Sequence, residues 1–539
     1  MTYNPHIAYI CMEFGIEPNM KTYSGGLGIL AGDTIKSYAD MSIPAVGVGL
    51  LYKDGYLDQE LDDEQGQINH PQIWNPEDYM TPLKRMHIPL HNQTVEVLIW
   101  EYVYTSPESG ASVSVLFLDT DQESNSEEIR RVSEKLYHNE KEIFYLQLMV
   151  LGLGSWYALQ ELECEIDTYH LNESHSALLA LVLNHRNTQV TFTTHTPVKG
   201  GHTRMPIGLI QDLCTENQCL SIPEKAIEGD VVNLTTVALE LADYSNAVSE
   251  KHQEVTQHMF PDHEVDFITN GIHSSTWASP ALRKLFDKYV PGWREKPELL
   301  RHIQAIPATK IQQAHAQSRK ELHNFINQSK SIECLPDAFT IGFARRATAY
   351  KRAELLLKNP EHLLSLAHSK GGLNIIFAGK AYHDDDNGRE LIKHILDLQN
   401  HYSDSRLRII YLENYDMNLA KKLVSGVDVW LNTPKVAYEA SGTSGMKASL
   451  NGVPNISVND GWWIEGGLHE VNGWTIRGFS EEAEINSIHE LVEQALSTYY
   501  YDPQTWAQMQ RLAIAFVGSY FNTHRMVTEY NQKGYTHNK

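Results

Sequence analysis

The chain has 539 residues, of which 42% are hydrophobic and 21% are charged, an ordinary globular composition that argues against extensive disorder. This length exceeds one ordinary hydrophobic core, so we expect two domains of α/β type. The formal net charge of −24 disfavours a general electrostatic grip on nucleic acid or anionic lipid, and any phosphate must therefore bind in a local basic pocket.

Signals for compartment and membrane are few. The five cysteines are an odd number without metal-like spacing, which favours a reducing compartment over a disulfide framework. Residues 1–6 lack a basic region followed by an apolar stretch, and we find no apolar run of bilayer-spanning length. We therefore expect a soluble cytoplasmic protein that binds neither nucleic acid nor a membrane.

The first half of the chain alternates short apolar runs with helical patterns. We predict strands at residues 7–12, 45–51, 95–104, 112–118, 167–171, 189–194 and 265–269, with those at 95–104 and 112–118 pairing antiparallel. Helical periodicity covers residues 142–162, and a further helix is predicted at 174–184.

After Trp277 a long, charged, mostly helical stretch runs to about residue 331 and is the predicted connector. Strands resume at residues 339–344, 374–378, 408–412, 427–431 and 455–458, each separated by a helix-sized segment. This alternation favours a parallel, doubly wound sheet, and two such sheets predict a ligand crevice between domains. One large sheet with insertions is the alternative.

A glycine cluster at residues 23–28 precedes a helical pattern at 31–41. Gly25, Gly26 and Gly28 let backbone N–H groups converge, so the segment is a candidate anion nest at a helix start. A tight turn that serves packing alone is equally reasonable.

Four cations follow the predicted strand at 339–344: Arg345, Arg346, Lys351 and Arg352. Guanidinium and ammonium groups clamp phosphate oxygens and stabilise negative charge. The alternative is a solvated helix face, especially for Arg352.

Polar residues also stand at other strand ends, namely Glu173, His175, His195 and Asn270. They can serve a ligand, or they can cap helices and make structural hydrogen bonds. Trp462 and Trp463 suit sugar faces or core packing. We assign no metal, and we read the acidic run at 383–386 as a helix start.

Residues 439–447 form the most informative motif, a run of small, hydroxyl-bearing and glycine residues closed by Lys447. Glycine and hydroxyl groups can bind a phosphate, and a lysine amine can condense with an aldehyde, so the run suits a phosphate-bearing aldehyde cofactor. A glycine-rich loop with a solvent-facing lysine is the alternative.

Taken together, the chain resembles the α-glucan (glycogen, starch or maltodextrin) phosphorylases of the short bacterial and archaeal type. The motifs that carry this resemblance are residues 12–15, 23–28, 171–175, 194–197, 269–271, 350–352, 412–415 and 439–447. The resemblance implies the glycosyltransferase B fold, an α/β fold with two doubly wound Rossmann-like domains facing a central cleft. It further implies pyridoxal 5′-phosphate as cofactor and reversible phosphorolysis of α-1,4-glucans to α-D-glucose 1-phosphate with retention.

The predicted segments are an N-terminal Rossmann-like domain on the glucan side (1–276), a helical connector (277–335), a C-terminal Rossmann-like domain on the cofactor and phosphate side (336–515) and a C-terminal helical segment that can pack back on the first domain (516–539). The partners implied are the glucan and inorganic phosphate or glucose 1-phosphate, and a homodimer is left open.

The family's functional residues carry over by position. The resemblance implies catalytic roles for Lys447, Arg346, Lys351 and His195. It implies cofactor binding by Lys447, Thr443, Ser444, Arg345 and Tyr415. It implies substrate binding by Gly26, Leu27, Glu173, His175, His195, Asn270, Glu439, Ser441 and Gly442.

Two other functions stay open at this point. A nucleotide-sugar-dependent α-glucan synthase would share the fold, although Lys447 in its glycine-rich frame argues against it. A catalytically silent glucan-binding protein would keep the fold without the chemistry, although the set of Arg346, Lys351 and Lys447 argues against that.

Overall fold

The computed structural model describes residues 4–62, 64, 66–90, 93–183, 188–217, 219, 221–329, 332–382, 385–403 and 405–536. The chain forms two compact units. Unit 1 comprises Met1–Leu57, Pro71–Thr269 and Thr523–Lys539, and unit 2 comprises Asp58–His70 and Asn270–Asn522. The long segment of unit 2 begins at Asn270, inside the predicted N-terminal domain, and ends at Asn522, inside the predicted C-terminal helical segment. The early segment Asp58–His70 and the predicted helical connector both belong to unit 2.

Unit 1 is built on a nine-stranded sheet. From edge to edge its strands are β14 (Asp266–Phe267), β13 (Tyr244–Ala247), β9 (Gln189–Thr193), β8 (Thr168–Asn172), β1 (Ile7–Cys11), β2 (Ala45–Leu50), β7 (Ser112–Asp119), β6 (Gln93–Thr105) and β5 (Thr81–Leu90). The pairs from β14 to β7 are parallel, whereas β6 is antiparallel to β7 and to β5. The predicted antiparallel pair is therefore confirmed, and the predicted buried strand at 265–269 shrinks to two half-buried edge residues.

Helices cover this sheet. They are α1 (Gly26–Asp40), α2 (Glu127–Arg130), α3 (Lys141–Met149), α4 (Ser155–Glu161), α5 (Leu178–Val182), α6 (Ile207–Asn217), α7 (Leu234–Leu241), α8 (Glu250–Met259) and, from the end of the chain, α19 (Thr523–Lys533). A small sheet joins β10 (Arg204–Pro206), β12 (Val231–Asn233) and β11 (Ile227–Glu228). Helix α19 contacts α1, where the hydroxyls of Ser37 and Thr523 lie 2.6 Å apart.

The segment Lys141–Glu161 corrects one expectation. It is 21 residues long and its most apolar stretch has a mean hydropathy of 1.2, so by length and composition alone it could cross a membrane. However, 78% of its most apolar stretch is buried inside the unit, as expected for the core helix of a globular domain. It joins α3 and α4 through a π-helical turn at Val150–Gly154.

Unit 2 carries a six-stranded sheet in the order β17 (Leu407–Leu412), β16 (Leu373–Ala378), β15 (Phe339–Ala344), β18 (Val429–Asn432), β19 (Asn455–Val458) and β20 (Gly473–Ile476). All five pairings are parallel. Numbered along the chain, the order is 3-2-1-4-5-6, the doubly wound order of dinucleotide-binding folds. The parallel strands of unit 1 follow the same order around β1, so the predicted α/β class with doubly wound sheets is confirmed.

The helices of unit 2 are α9 (Ser274–Trp277), α10 (Pro280–Tyr289), α11 (Ala308–Ser329), α12 (Pro360–Lys370), α13 (Asp386–His401), α14 (Met417–Gly426), α15 (Ser444–Leu450), α16 (Trp463–Gly466), α17 (Glu481–Tyr501) and α18 (Pro503–Ala513). A hairpin of β3 (Asp58–Asp62) and β4 (Gly66–His70) completes the unit. In a doubly wound sheet, ligands bind at the carboxyl ends of the strands where the order reverses, here β15 and β18 in unit 2 and β1 and β8 in unit 1.

Candidate functional site

In unit 2 the cations follow β15 at this reversal point. The backbone N–H of Arg345 donates to Ala378 O at 3.0 Å, and that of Ala347 donates to Lys380 O at 3.1 Å. The loop therefore extends the pairing of β15 with β16 and places Arg345 and Arg346 at the carboxyl edge of the sheet.

Glu439 is the centre of the charged cluster. Its Oε2 accepts hydrogen bonds from Arg345 Nη2 at 2.5 Å and Lys351 Nζ at 2.7 Å. The three side chains are only 6–12% exposed. Burial alone raises the pKa of Glu439, but Arg345 and Lys351 outweigh it and hold that pKa at about 2. The carboxylate is therefore ionised at any physiological pH.

At Lys351, in contrast, burial outweighs the attraction of the neighbouring opposite charge. Burial, with help from Arg345, lowers the pKa of its ammonium group to about 7, although Glu439 opposes the shift. A lysine of this kind changes charge near neutral pH and regains its charge when a second anion arrives.

Arg346 lies apart from the shared carboxylate. It donates to the hydroxyl of Tyr382, and its guanidinium carbon is 4.9 Å from the centre of that ring. Arg352 is held elsewhere, by Glu484 Oε2 at 2.5 Å and the carbonyl of Pro434 at 2.7 Å. Arg352 therefore has a structural role, and neither of the two interpretations of it from the sequence, a phosphate clamp or a solvated helix face, describes it.

Lys447 lies on α15 and is 7% exposed. Its Nζ is 3.9 Å from the ring centre of Trp277. Asn451 Nδ2 donates to both Trp277 O at 2.9 Å and Lys447 O at 2.8 Å, which ties the two residues together. The solvent-facing alternative for Lys447 is therefore wrong.

The hydroxyl residues of the motif begin this helix. Thr443 is the N-cap, and its side chain makes no capping hydrogen bond within the described chain. Ser444 Oγ accepts from Trp430 Nε1 at 3.1 Å, which leaves its own proton available. One guanidinium nitrogen of Arg345, Nη1, is buried and has no hydrogen-bond partner among the residues that the structure describes.

Gly442 allows the loop to pass Glu439. Its φ is +75°, and a Cβ at this position would lie 3.0 Å from Glu439 Oε1. Ser441 is 2% exposed, and its carbonyl accepts from Trp462 N at 3.0 Å. Glu439 N donates to Asp460 Oδ2 at 3.0 Å, and burial raises the pKa of Asp460 to about 6.

Tyr415 is half-buried; this burial raises the pKa of its hydroxyl, and Arg345 partly opposes the shift. Trp462 and Trp463 are 2% and 0% exposed, so the core-packing interpretation of both is confirmed. In the acidic run at 383–386, residues 383 and 384 lie outside the described residues.

In unit 1 Glu173 follows β8 with a φ of +75°, a strained conformation for this residue. Its Oε2 accepts from His195 N at 2.7 Å and Thr196 Oγ1 at 3.0 Å, and its Oε1 accepts from Ser174 N at 2.7 Å. Burial raises the pKa of this carboxyl, but His195, His175 and the backbone donors together lower it to about 2.

Burial favours the neutral form of the two predicted site histidines of unit 1, His175 and His195. Burial lowers the pKa of His195 to about 4. Its Nε2 lies 2.7 Å from Asn172 Oδ1, so Nε2 carries the proton and Nδ1 can accept a hydrogen bond. Burial also lowers the pKa of His175. That ring lies 5.6 Å from Tyr137, and among the described residues its Nδ1 has no hydrogen-bond partner.

The glycine cluster does bind an anion, but the anion belongs to the chain. Glu13 Oε2 accepts from Ser24 N at 2.6 Å and Gly25 N at 3.1 Å. Gly26 and Leu27 follow in the first turn of α1, and a Cβ on Gly26 would meet open space. Asn270 is 6% exposed and is the first residue of the long segment of unit 2.

Comparison with known proteins identifies the family. A family model described as carbohydrate phosphorylase matches residues 13–122 and 214–474. The chain belongs to the carbohydrate phosphorylase family. It is 36% identical to a maltodextrin phosphorylase of Thermococcus litoralis, over 98% of this chain and 70% of that protein. It is 30% identical to a glycogen phosphorylase of Aquifex aeolicus (99% and 87%) and 31% identical to an uncharacterized protein of Methanocaldococcus jannaschii (98% and 99%). The resemblance predicted from the motifs is confirmed.

Within this phosphorylase framework, sequence reasoning missed several contacts. Tyr382, Trp277, Asn451, Asn172 and Glu13 each bind a predicted residue or loop. Tyr382 and Asn172 could have been found, because Asn172 ends β8 and Tyr382 lies in the loop that follows β16. Trp277 and Asn451 carry no such signal.

We expect Glu173→Gln to destabilise unit 1. An amide offers one acceptor where the carboxylate serves three donors, and a folded-state pKa of about 2 in place of 4.5 is worth roughly 3 kcal/mol. Because this pKa is lowered on folding, the contribution is present above about pH 4.5 and is lost between about pH 4.5 and about pH 2. Thermal unfolding of wild type and variant against pH measures it.

The matched control is Glu161→Gln, which alters a surface pair with Lys84 in which the Glu161 side chain is 41% exposed. It should cost less than about 1 kcal/mol. Equal costs for the two variants, or a Glu173→Gln cost that is unchanged down to about pH 2, would contradict the assignment of a buried carboxylate.

Proposed function

We propose that the protein is an α-1,4-glucan phosphorylase, a hexosyltransferase that reversibly transfers the terminal glucosyl unit of glycogen, starch or maltodextrin to inorganic phosphate. The product is α-D-glucose 1-phosphate, formed with retention. The observation that carries the proposal is the buried cluster of Arg345, Glu439 and Lys351 in the same unit as the buried Lys447, which supplies cationic groups for phosphate beside an acceptor for sugar hydroxyls.

The family implies pyridoxal 5′-phosphate, and the residues fit this group. Lys447 is a buried amine for the aldehyde, Thr443 and Ser444 offer hydroxyls at the start of α15, and Arg345 Nη1 is a buried donor without a partner among the described residues. We propose that these four residues hold the cofactor and that Tyr415 packs beside it. When bound, the cofactor would supply acid–base chemistry through its phosphate.

Arg346 and Lys351 would bind the substrate phosphate. Phosphate groups repel each other strongly where water is excluded, so cations must be present before they can approach. An incoming phosphate would compete with Glu439 for Lys351 and would keep the ammonium group charged. Glu439, released in part, would then accept a hydrogen bond from a hydroxyl of the glucosyl unit, and the N–H of Gly442 would donate to a sugar oxygen, with Ser441 also binding the sugar.

The residues of unit 1 would serve the glucosyl unit and the incoming anion. The N–H groups of Gly26 and Leu27 lie at the positive end of a 15-residue helix and would donate to phosphate oxygens. His195 is neutral with Nδ1 free to accept a sugar hydroxyl, and Glu173, His175 and Asn270 would contribute further polar contacts. A backbone carbonyl near His195 would assist a positively charged sugar.

We further propose that the enzyme acts in the cytoplasm, because all five cysteines are free thiols. A homodimer stays a prediction.

The direct test incubates the purified protein, reconstituted with pyridoxal 5′-phosphate, with maltodextrin and inorganic phosphate. We expect glucose 1-phosphate of α configuration, and none when phosphate is omitted. Incorporation of glucose from a nucleoside diphosphate glucose, without any phosphorolysis, would support the synthase alternative instead. Retention of maltodextrin on the protein with neither reaction would support the silent binding protein.

A further inference from the structure

The hairpin of β3 and β4 occupies an unexpected position. It comes early in the chain, between two segments of unit 1, yet it belongs to unit 2. Gly66, with a φ of +79°, allows it to approach α13, since a Cβ there would lie 2.4 Å from Arg389 O. The hairpin is not among the motifs that carry the family resemblance, and none of the proposed site residues belongs to it.

Gln59, on β3, is 2% exposed and connects two loops. Its side-chain Nε2 donates to Gly379 O at 3.2 Å, in the loop that follows β16. Its side-chain Oε1 accepts from Asn414 N at 3.0 Å, and its backbone N donates to Asn414 Oδ1 at 2.6 Å, in the loop that follows β17. One buried amide thus bridges the carboxyl ends of two neighbouring strands.

Gln67, on β4, is also 2% exposed and makes further hydrogen bonds to the loop that follows β16. Its Oε1 accepts from Ala381 N at 3.0 Å, and its Nε2 donates to Ala381 O at 3.1 Å. The same Oε1 accepts from Gln59 Nε2 at 2.8 Å. The side-chain amide therefore pairs with the backbone of Ala381 as a neighbouring strand would.

The loop held in this way supports the cations. Arg345 N and Ala347 N donate to the carbonyls of Ala378 and Lys380, on either side of Gly379. Gly379 approaches so closely that a Cβ would lie 1.9 Å from Arg345 O. The next residue after Ala381 is Tyr382, which accepts a hydrogen bond from Arg346.

The loop that follows β17 also comes near one of these cations, Arg345. Asn414 has a φ of +54°, a conformation that its two hydrogen bonds to Gln59 stabilise. Tyr415 follows directly and lies within electrostatic range of Arg345. Both loops thus connect the hairpin to residues proposed to bind phosphate.

We propose that Gln59 and Gln67 are positioning residues for the phosphate site, and this inference rests on the proposed function of Arg345 and Arg346. They touch no reacting group. They fix the backbone on which the two guanidinium groups depend, and a displacement of about 1 Å at a charged site is enough to weaken binding strongly. Buried amides suit this task because each unmade hydrogen bond is costly, which leaves the loops one arrangement.

The test uses the full-length enzyme with Gln59→Met and, separately, Gln67→Met. Methionine keeps the side-chain volume and removes the amide, so packing changes little. We expect the KM for inorganic phosphate to rise about tenfold, while the KM for maltodextrin stays within about twofold. The matched control is Glu60→Gln, in the same hairpin but exposed, whose phosphate KM should match the wild type within about twofold.

A merely structural role predicts a different result. Loss of folded enzyme lowers the apparent kcat and leaves both KM values unchanged, and that outcome would overturn the inference. So would a phosphate KM that matches the wild type in both variants. If Gln59→Met fails to fold, Gln67→Met decides, because it breaks the contacts to Ala381 and Gln59 named above and one further hydrogen bond, to Asn69 in the same hairpin.

A second measurement separates this inference from the proposed function. Inorganic phosphate should raise the unfolding temperature of the wild-type holoprotein, and the increase should be smaller by at least half in both variants and unchanged in Glu60→Gln. This readout needs no turnover, so it applies even if no glucose 1-phosphate forms. Equal increases in all four proteins, or none in the wild type, would overturn the assignment.

Discussion

Lys447→Ala should yield a folded protein that binds no pyridoxal 5′-phosphate and forms glucose 1-phosphate at least about ten-thousand-fold more slowly. The amine is the buried group that fits the aldehyde, and its loss removes the attachment. The fold should survive, because alanine is a good helix former and the contact of the ammonium group with Trp277 is worth about 1–2 kcal/mol. Absorption of the dialysed protein, circular dichroism and initial rates measure these effects.

The matched control for this prediction is Lys284→Ala, an exposed lysine on α10 of the same unit. It should retain the cofactor and full activity. A Lys447→Ala protein that keeps the cofactor spectrum after dialysis would show that another lysine holds the group.

Glu439→Gln should lower glucose 1-phosphate formation about a hundredfold to a thousandfold and destabilise the protein by about 3–5 kcal/mol. The carboxylate is the shared partner of Arg345 and Lys351, so its loss leaves two buried cations facing each other with one neutral acceptor. Steady-state kinetics and chemical denaturation, both on the reconstituted enzyme, measure the two effects separately.

Glu484→Gln is the matched control, because Glu484 forms a comparably buried ion pair with Arg352 in the same unit, with both side chains 10–13% exposed. We expect a similar loss of stability and rates within about twofold of the wild type. If both variants lose activity to the same extent, the loss reflects stability, and Glu439 has no special role in the reaction.

The pH dependence of Glu439→Gln provides a further readout. In the wild type, Glu439 opposes the effects of burial and Arg345, which lower the pKa of Lys351 to about 7. Without the carboxylate that pKa falls further, so Lys351 loses its proton at lower pH. The KM for inorganic phosphate should therefore begin to rise at lower pH in the variant than in the wild type. Ionisation of phosphate itself cancels when the two proteins are compared at the same pH.

The strands that are buried on both faces could be predicted from the sequence. Residues 339–344 and 408–412 are mostly apolar, and the structure has strands at Phe339–Ala344 and Leu407–Leu412. The strand predicted at residues 427–431 begins at Val429 in the structure, two residues later than predicted. Val427 is the C-cap of α14, and Asp428 Oδ2 accepts from the backbone N of Thr340 at 2.8 Å, a long-range contact that no local pattern reports.

The hairpin at Asp58–His70 shows the same limit more strongly. Its polar, weakly alternating sequence predicts little, and the residues that it binds, such as Gly379 and Asn414, are more than 300 positions away. Its membership of unit 2 depends on those contacts, so it could not be predicted from the sequence.

For the candidate site, the sequence alone determined which chemical groups are available. The hydroxyl and glycine residues at 439–447 and the cations after β15 can bind a phosphate, and the lysine can condense with an aldehyde. These capacities belong to the residue types and do not depend on the fold. Only the tertiary structure decided how these groups share partners. Arg345 and Lys351, predicted to serve different phosphates, meet on the carboxylate of Glu439, which is 94 and 88 residues away in the chain. The ionisation of Lys351, Glu439 and Glu173 follows from burial and neighbouring charge, which exist only once the chain has folded.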